Sequence, residues 1–148
     1  MNRRTVGLDV GGTKCLGVAL DEHGEIVAEE RRPTPRGHGS LPLLIDTLAE
    51  LADALGPFDH IGVGVPGLVT RQGVLRAAPN LDGVADFDVA GLLGERVGQP
   101  VHVDNDATCA AVSEWMHGAG RGTTDMVLVT LGTGIGGGVV AGGRLQCG

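Results

Sequence analysis

Glycine gathers where the apolar runs of this chain end. Of 148 residues 27 are glycine, and they cluster rather than scatter. Two clusters repeat one arrangement. An apolar run, a Gly/Thr turn and a second apolar run occupy residues 5–20 and again 126–141. Such a turn joining two strands has two readings: a tight hairpin, or a place where backbone N–H groups converge on an anion. The repeat itself is either a duplicated phosphate-holding hairpin or a chance likeness of two short Gly-rich segments.

The remaining pattern is that of an α/β chain. Residues 5–10 read as a buried strand, 14–20 as its return, and 26–31 as a third strand after the turn Glu22–Glu25. Two prolines and two glycines make residues 33–39 a loop. Leu41, Leu44, Ile45, Leu48, Leu51, Ala52 and Leu55 then fall at helical spacing, with Asp46, Thr47, Glu50 and Asp53 opposite them. Ser40 is the expected cap of that helix and Gly56-Pro57 its stop. A strand over 60–65, a hairpin around 71–73 and a helix capped by Asp88 and running to about Val97 come next. A strand entered at Pro100 meets Asp104-Asn105-Asp106, which opens a helix to about His117. After a loop at 118–122, strands are expected over 126–131 and 135–141.

Composition removes several functional classes. Eleven basic against 18 acidic residues leave a net charge of −7, without the basic footprint of a nucleic-acid groove. Phe58, Phe87 and Trp115 are too few to make a base-stacking platform. Cys15, Cys109 and Cys147 are far apart, which suits thiols in a reducing cytoplasm, and no pair has zinc-ligand spacing. Asp9 and Lys14 interrupt the first apolar run, so it is not read as a signal peptide, and no run is long enough to span a membrane.

Three short motifs carry the candidate chemistry. In Asp9-Val10-Gly11-Gly12-Thr13-Lys14 the glycines let backbone amides approach a phosphate, Thr13 offers a hydroxyl, and Asp9 suits a magnesium ion. The alternative is a plain hairpin with Asp9 solvated at a strand end. Lys14, the only lysine, precedes Cys15, so this is not a Walker loop. The second motif, Gly132-Thr133-Gly134-Ile135-Gly136-Gly137-Gly138, formally contains a dinucleotide fingerprint. Its continuation Gly138-Val139-Val140 is poor helix sequence, so a glycine turn between strands is the better reading. In Asp104-Asn105-Asp106 a carboxylate is either a helix cap or a general base that accepts a hydroxyl proton as a phosphoryl group arrives. Asn105 has donors and an acceptor for a vicinal diol. Pro66-Gly67 and Pro79-Asn80-Leu81 read alone as ordinary turns.

In this order the motifs resemble those of the ROK family of repressors and sugar kinases, within the actin/hexokinase/Hsp70 ATPase superfold. The matching residues are Asp9–Lys14, Gly62–Gly67, Pro79–Leu81, Asn105–Ala107 and Leu131–Gly138. The resemblance implies an α/β fold, a ribonuclease-H-like lobe with a mixed sheet flanked by helices. It places that lobe, with the sugar pocket and first phosphate motif, over 1–120, and the opening hairpin of a second lobe over 121–148. It assigns Asp106 as catalytic base, and Gly67, Asn80, Asn105 and Asp106 to the sugar. It assigns Asp9, Gly11, Gly12, Thr13, Lys14, Gly132, Thr133, Gly134, Gly136 and Gly137 to ATP, with Asp9 near Mg2+.

The activity so implied is phosphorylation of a hexose by ATP, glucose to glucose 6-phosphate first. N-acylmannosamine or fructose is an alternative substrate and polyphosphate an alternative donor. A sugar-sensing regulator and a non-catalytic sugar-binding remnant are the other classes. The regulator is disfavoured because only Met1–Arg4 precede the first strand. The family pattern continues with a Glu/His sugar segment and a cysteine-rich zinc motif that find no match before Gly148, so zinc is expected only beyond it. The chain is therefore expected to be part of a longer cytoplasmic enzyme, a homodimer with no nucleic-acid or membrane partner. Alone, the 126–141 hairpin is expected to be marginal.

Overall fold

The computed structural model describes residues 3–132 and 134–146. Its elements are β1 (Thr5–Val10), β2 (Lys14–Leu20), β3 (Ile26–Pro33), α1 (Ser40–Ala54), β4 (His60–Val65), β5 (Leu68–Val69), β6 (Val74–Ala77) and β7 (Phe87–Asp88). They continue with α2 (Val89–Val97), β8 (His102–Asn105), α3 (Asp106–His117), β9 (Met126–Leu131), β10 (Ile135–Ala141) and β11 (Arg144–Gln146). The fold is the α/β one expected, with a mixed sheet in the order β3-β2-β1-β4-β8. β1 pairs antiparallel with β2 and parallel with β4, which puts Asp9 beside Leu16 on one side and Gly64 on the other.

Two compact units divide the chain, one ending at Asp104 and the other starting at Asn105. The division falls earlier than residue 120, so α3 belongs with the second hairpin. In the first unit the alternate residues Val6, Leu8 and Val10 of β1 are buried together with Ile61, Val63 and Val65 of β4. The apolar stripe Leu44, Ile45, Leu48, Leu51 and Leu55 joins the same core. Burying each such side chain is worth about 1.5–3 kcal/mol relative to leaving it in water. Gly17 is the point of closest approach: a Cβ there would lie 2.9 Å from Leu55 Cδ1 and 3.0 Å from Leu8 Cδ2.

The start of α1 differs from expectation. Gly39, not Ser40, occupies the cap position, in left-handed backbone at φ 78°, and no side chain caps the helix. Ser40 is instead a buried helical residue. Asp88 caps α2 as expected, its carboxylate accepting from the Gly91 amide at 2.9 Å.

In the second unit β9, β10 and β11 form a three-stranded antiparallel sheet. The hairpin expected to stand alone thus gains a third strand, and α3 packs on one face of β10. That packing explains two glycines of the second motif. A Cβ on Gly136 would lie 2.8 Å from Ala107 Cβ, and one on Gly138 would collide with Ala111 Cβ. Buried Ala107, Ala111 and Val140 form the contact. The opposite face of this sheet is apolar and open, with Val127, Val129, Leu131, Ile135 and Val139 exposed.

Candidate phosphate and sugar sites

The first phosphate motif is the β1–β2 hairpin. Val10 pairs with Cys15, and the Gly11 amide donates to the Lys14 carbonyl at 3.0 Å, leaving Gly12-Thr13 at the tip. Asp9, Gly12, Thr13 and Lys14 are exposed and Gly11 is half-buried. The carbonyls of this turn are occupied from behind. The Thr34 hydroxyl donates to Gly11 O at 2.7 Å, and the Thr34 amide to Thr13 O at 3.0 Å. Arg36 Nε donates to Gly12 O at 3.0 Å, and its Nη2 donates to the same oxygen. Among the described residues nothing accepts from the amides of Gly12 and Thr13. Two adjacent N–H groups open to solvent are the donor set of an anion cradle. Beneath the turn, burial pushes the Cys15 thiol above its ordinary range; its bond with Thr34 opposes that rise and Asp9 adds to it. Thr34 and Arg36 were not among the candidates drawn from sequence, because the loop carrying them had no motif to mark it.

Pro66-Gly67 and Pro79–Leu81 lie together within the first unit. Gly67 sits at φ 113°, where a side chain is strained, and a Cβ there would strike the carbonyl of Ala77 and come within 2.9 Å of Ala78 Cα. The Gly67 turn is thus pressed against the chain just before Pro79. Leu81 is buried, and Asn80 is exposed beside it. Because β1 and β4 are parallel, Asp9 and Pro66-Gly67 both lie at strand carboxyl ends, where open α/β sheets receive ligands.

In the second unit Asn105 is the N-cap of α3. Its Oδ1 accepts from the Thr108 amide at 3.1 Å. The alternative of an aspartate cap is therefore corrected: the amide side chain caps, and Asp106 is the first helical residue. This engages the Asn105 side-chain oxygen in holding the helix start. Asp106 Oδ1 accepts from the Ala107 amide at 2.8 Å, and among the described residues Oδ2 has no partner. A carboxylate in the first turn also meets the positive end of the helix dipole.

In the second motif the Gly132 amide donates to the Gly134 carbonyl at 2.9 Å, and Leu131 faces Ile135. Gly132 and Gly134 are open, and a Cβ on either meets nothing within 4 Å. Gly136 faces α3, whereas Gly137 is exposed on the other face. Thr133, also assigned to this motif, lies outside the described residues, as does Cys147.

Among the described residues no cluster of three acidic, His or Cys side chains could hold a metal by itself. Asp9 nevertheless fits magnesium, which needs only one or two carboxylates when phosphate oxygens and water complete its shell. No described helix is long and apolar enough to cross a membrane.

The model of the ROK family matches residues 5–148. The chain belongs to the ROK family. It is 37% identical over 145 residues to a glucokinase of Streptomyces coelicolor, an alignment covering 97% of this chain and 45% of that protein. It is 33% identical to an N-acetyl-D-glucosamine kinase of Haemophilus influenzae, covering 96% of this chain and 47% of that protein. In structure it is similar to a ROK family glucokinase from Streptomyces griseus in complex with glucose and AMPPNP. The TM-score is 0.87 and the identity 34%, over 98% of this chain and 46% of that one. The ROK chain thus has the actin/hexokinase/Hsp70-like fold and spans about half the length of the curated relatives it matches.

Proposed function

We propose that this ROK chain carries the sugar-phosphorylating groups of a hexose kinase that uses ATP, with glucose its first substrate. The observation that bears most weight is Asp106: one carboxylate oxygen is fixed by the Ala107 amide and the other lacks a partner among the described residues. A fixed carboxylate with an available oxygen is what a general base requires. The glucokinases among the relatives, and the glucose and AMPPNP named for the Streptomyces griseus structure, support the reading.

In the reaction the sugar hydroxyl oxygen forms a bond to the terminal phosphorus of ATP while the bond to the bridging oxygen of ADP breaks. The hydroxyl proton passes to Asp106 Oδ2. Asn105 binds a neighbouring sugar oxygen, and the segments at Gly67 and Asn80 line the sugar. The amides of Gly12 and Thr13 donate to phosphate oxygens, as does that of Gly134 in the open second turn, where the Gly132 amide closes the turn on the Gly134 carbonyl. Asp9 is the residue that would hold magnesium, which would supply charge neutralisation at the phosphates. Most of the rate then comes from positioning and from preorganised charge.

The test is a coupled ADP-release assay on the protein encoded by the whole gene. The panel is glucose, N-acetylmannosamine, N-acetylglucosamine and fructose, with ATP and then polyphosphate as donor. Glucose with ATP should give the highest kcat/KM. Preference for an N-acetyl sugar, the substrate named for other relatives, would move the specificity and keep the mechanism. No turnover with any pair would refute the reading.

A further inference from the structure

We infer that Thr34 and Arg36 are positioning residues for the first phosphate turn, an inference that rests on the reading of that turn as a phosphate site. The turn has four carbonyls, at Gly11, Gly12, Thr13 and Lys14, and each accepts a hydrogen bond. Thr34 supplies two donors, its hydroxyl to Gly11 and its amide to Thr13. Arg36 supplies two to Gly12, and the Gly11 amide supplies the one to Lys14. An anion approaching a peptide turn is repelled by carbonyl oxygens and drawn by amides. With every carbonyl held from one side, the amides of Gly12 and Thr13 remain the open polar groups of the tip.

The holding residues are themselves fixed to different degrees. Thr34 is 6% exposed, and its hydroxyl oxygen lies 3.5 Å from Cys15 Sγ. It ties the turn to the first strand pair of the core. Arg36 is exposed, and its planar fork grips one oxygen through two nitrogens. Its charge also lies on the back of the turn, adding positive potential to a site meant for phosphate. The pair therefore sets the direction of the amides before a nucleotide arrives. Preorganisation of this kind appears as affinity for the phosphate-bearing substrate rather than for the sugar.

The experiment uses the protein encoded by the whole gene, as wild type, Arg36→Met, Arg36→Lys and Thr34→Val. At saturating sugar, Arg36→Met and Thr34→Val should raise KM for ATP about tenfold, the loss expected for a hydrogen bond to a charged group or one left unmade in a buried site. Arg36→Lys should fall between them and wild type. KM for the sugar should stay within about twofold. Unchanged KM for ATP in Arg36→Met, with wild-type turnover, overturns the inference and leaves the kinase reading standing. An equal rise in both KM values also overturns it, because it reports general loosening. If Thr34→Val does not fold, the two Arg36 variants decide alone. As a second readout, tripolyphosphate titrated into 15N-labelled wild type should shift the Gly12 and Thr13 amides, and less so in Arg36→Met. A wild type that phosphorylates nothing and shows no such shifts overturns both readings together.

Discussion

Asp106 and Asn105 are neighbours with opposite jobs at the start of α3. Asn105 spends its oxygen on the helix, whereas Asp106 keeps one oxygen available. Asp106→Asn keeps the shape and removes the base. In the whole-gene protein kcat should fall about 10²–10⁴-fold, the usual worth of general base catalysis, with sugar affinity retained. Retained turnover would return Asp106 to a purely structural role. Asn105→Ala should behave differently, because it removes a cap as well as a ligand. It should lower unfolding stability by about 1 kcal/mol in urea titration and weaken sugar binding together. The buried thiol beneath the phosphate turn gives a separate check. Since burial raises the pKa of Cys15, its proton is held more tightly folded than unfolded. Its contribution to stability is present below the ordinary thiol range and is lost as pH rises from that range through the raised folded value. Iodoacetamide at pH 8, followed by peptide mass mapping, should modify exposed Cys109 well before Cys15. Equal rates would contradict the burial.

At the scale of elements, the glycine clusters do two jobs that one sequence cannot separate. Gly12, Gly132 and Gly134 have room for a side chain, whereas Gly136 and Gly138 are filled by α3. From the sequence alone Gly12, Gly132, Gly134 and Gly136 read as phosphate glycines and Gly138 as the end of the same motif, since α3, which fills Gly136 and Gly138, lies well before them in the chain. Gly138→Val should therefore cost about 1–3 kcal/mol of stability through overpacking against Ala111, measured by urea denaturation. Gly134→Ala should leave the midpoint unchanged and raise KM for ATP in the whole-gene protein. If the two effects were reversed, the division of roles would be wrong. What was legible came from strong periodicity: the stripe of α1, the strands bounding both Gly turns and the Asp88 cap all appear within a few residues of expectation. What was not legible depended on partners distant in sequence. Ser40 lost its capping role because Gly39, in left-handed backbone, takes the cap position and Ser40 is already the first helical residue. Arg144–Gln146 became a strand only by pairing with β10, and the grip of Thr34 and Arg36 on the turn depends on β3 staying paired with β2 as far as Pro33, beyond the strand expected over 26–31. The two aspartates flanking Asn105 were the caps the sequence offered, and the structure gives that role to the asparagine between them.

At the scale of the whole molecule, the two units differ in how well each covers its own apolar surface. The first closes a core in which Leu44, Leu48, Leu51, Ile61, Val65, Leu75 and Leu93 are buried. The second covers one face of its sheet with α3 and leaves the other bare. In that face Leu131 stands opposite Ile135 and Val127 opposite Val139, with exposures of 79%, 82%, 70% and 42% in that order. The register makes these one continuous patch, since paired residues on antiparallel strands share a face. Apolar strand surface in water drives association. The 148-residue chain studied by itself should thus self-associate, with a sedimentation coefficient that rises with concentration in the micromolar range. Replacing Val127, Val129 and Ile135 by Thr keeps the β propensity of each strand while reducing the apolar area, and should shift the distribution toward monomer without altering the circular dichroism spectrum. Arg31→Ala, on the charged strand β3 of the first unit, serves as the control and should leave association unchanged. Concentration-independent sedimentation of the wild-type chain would show that the bare face is not sticky. Association unaffected by the triple variant would move its origin to another surface.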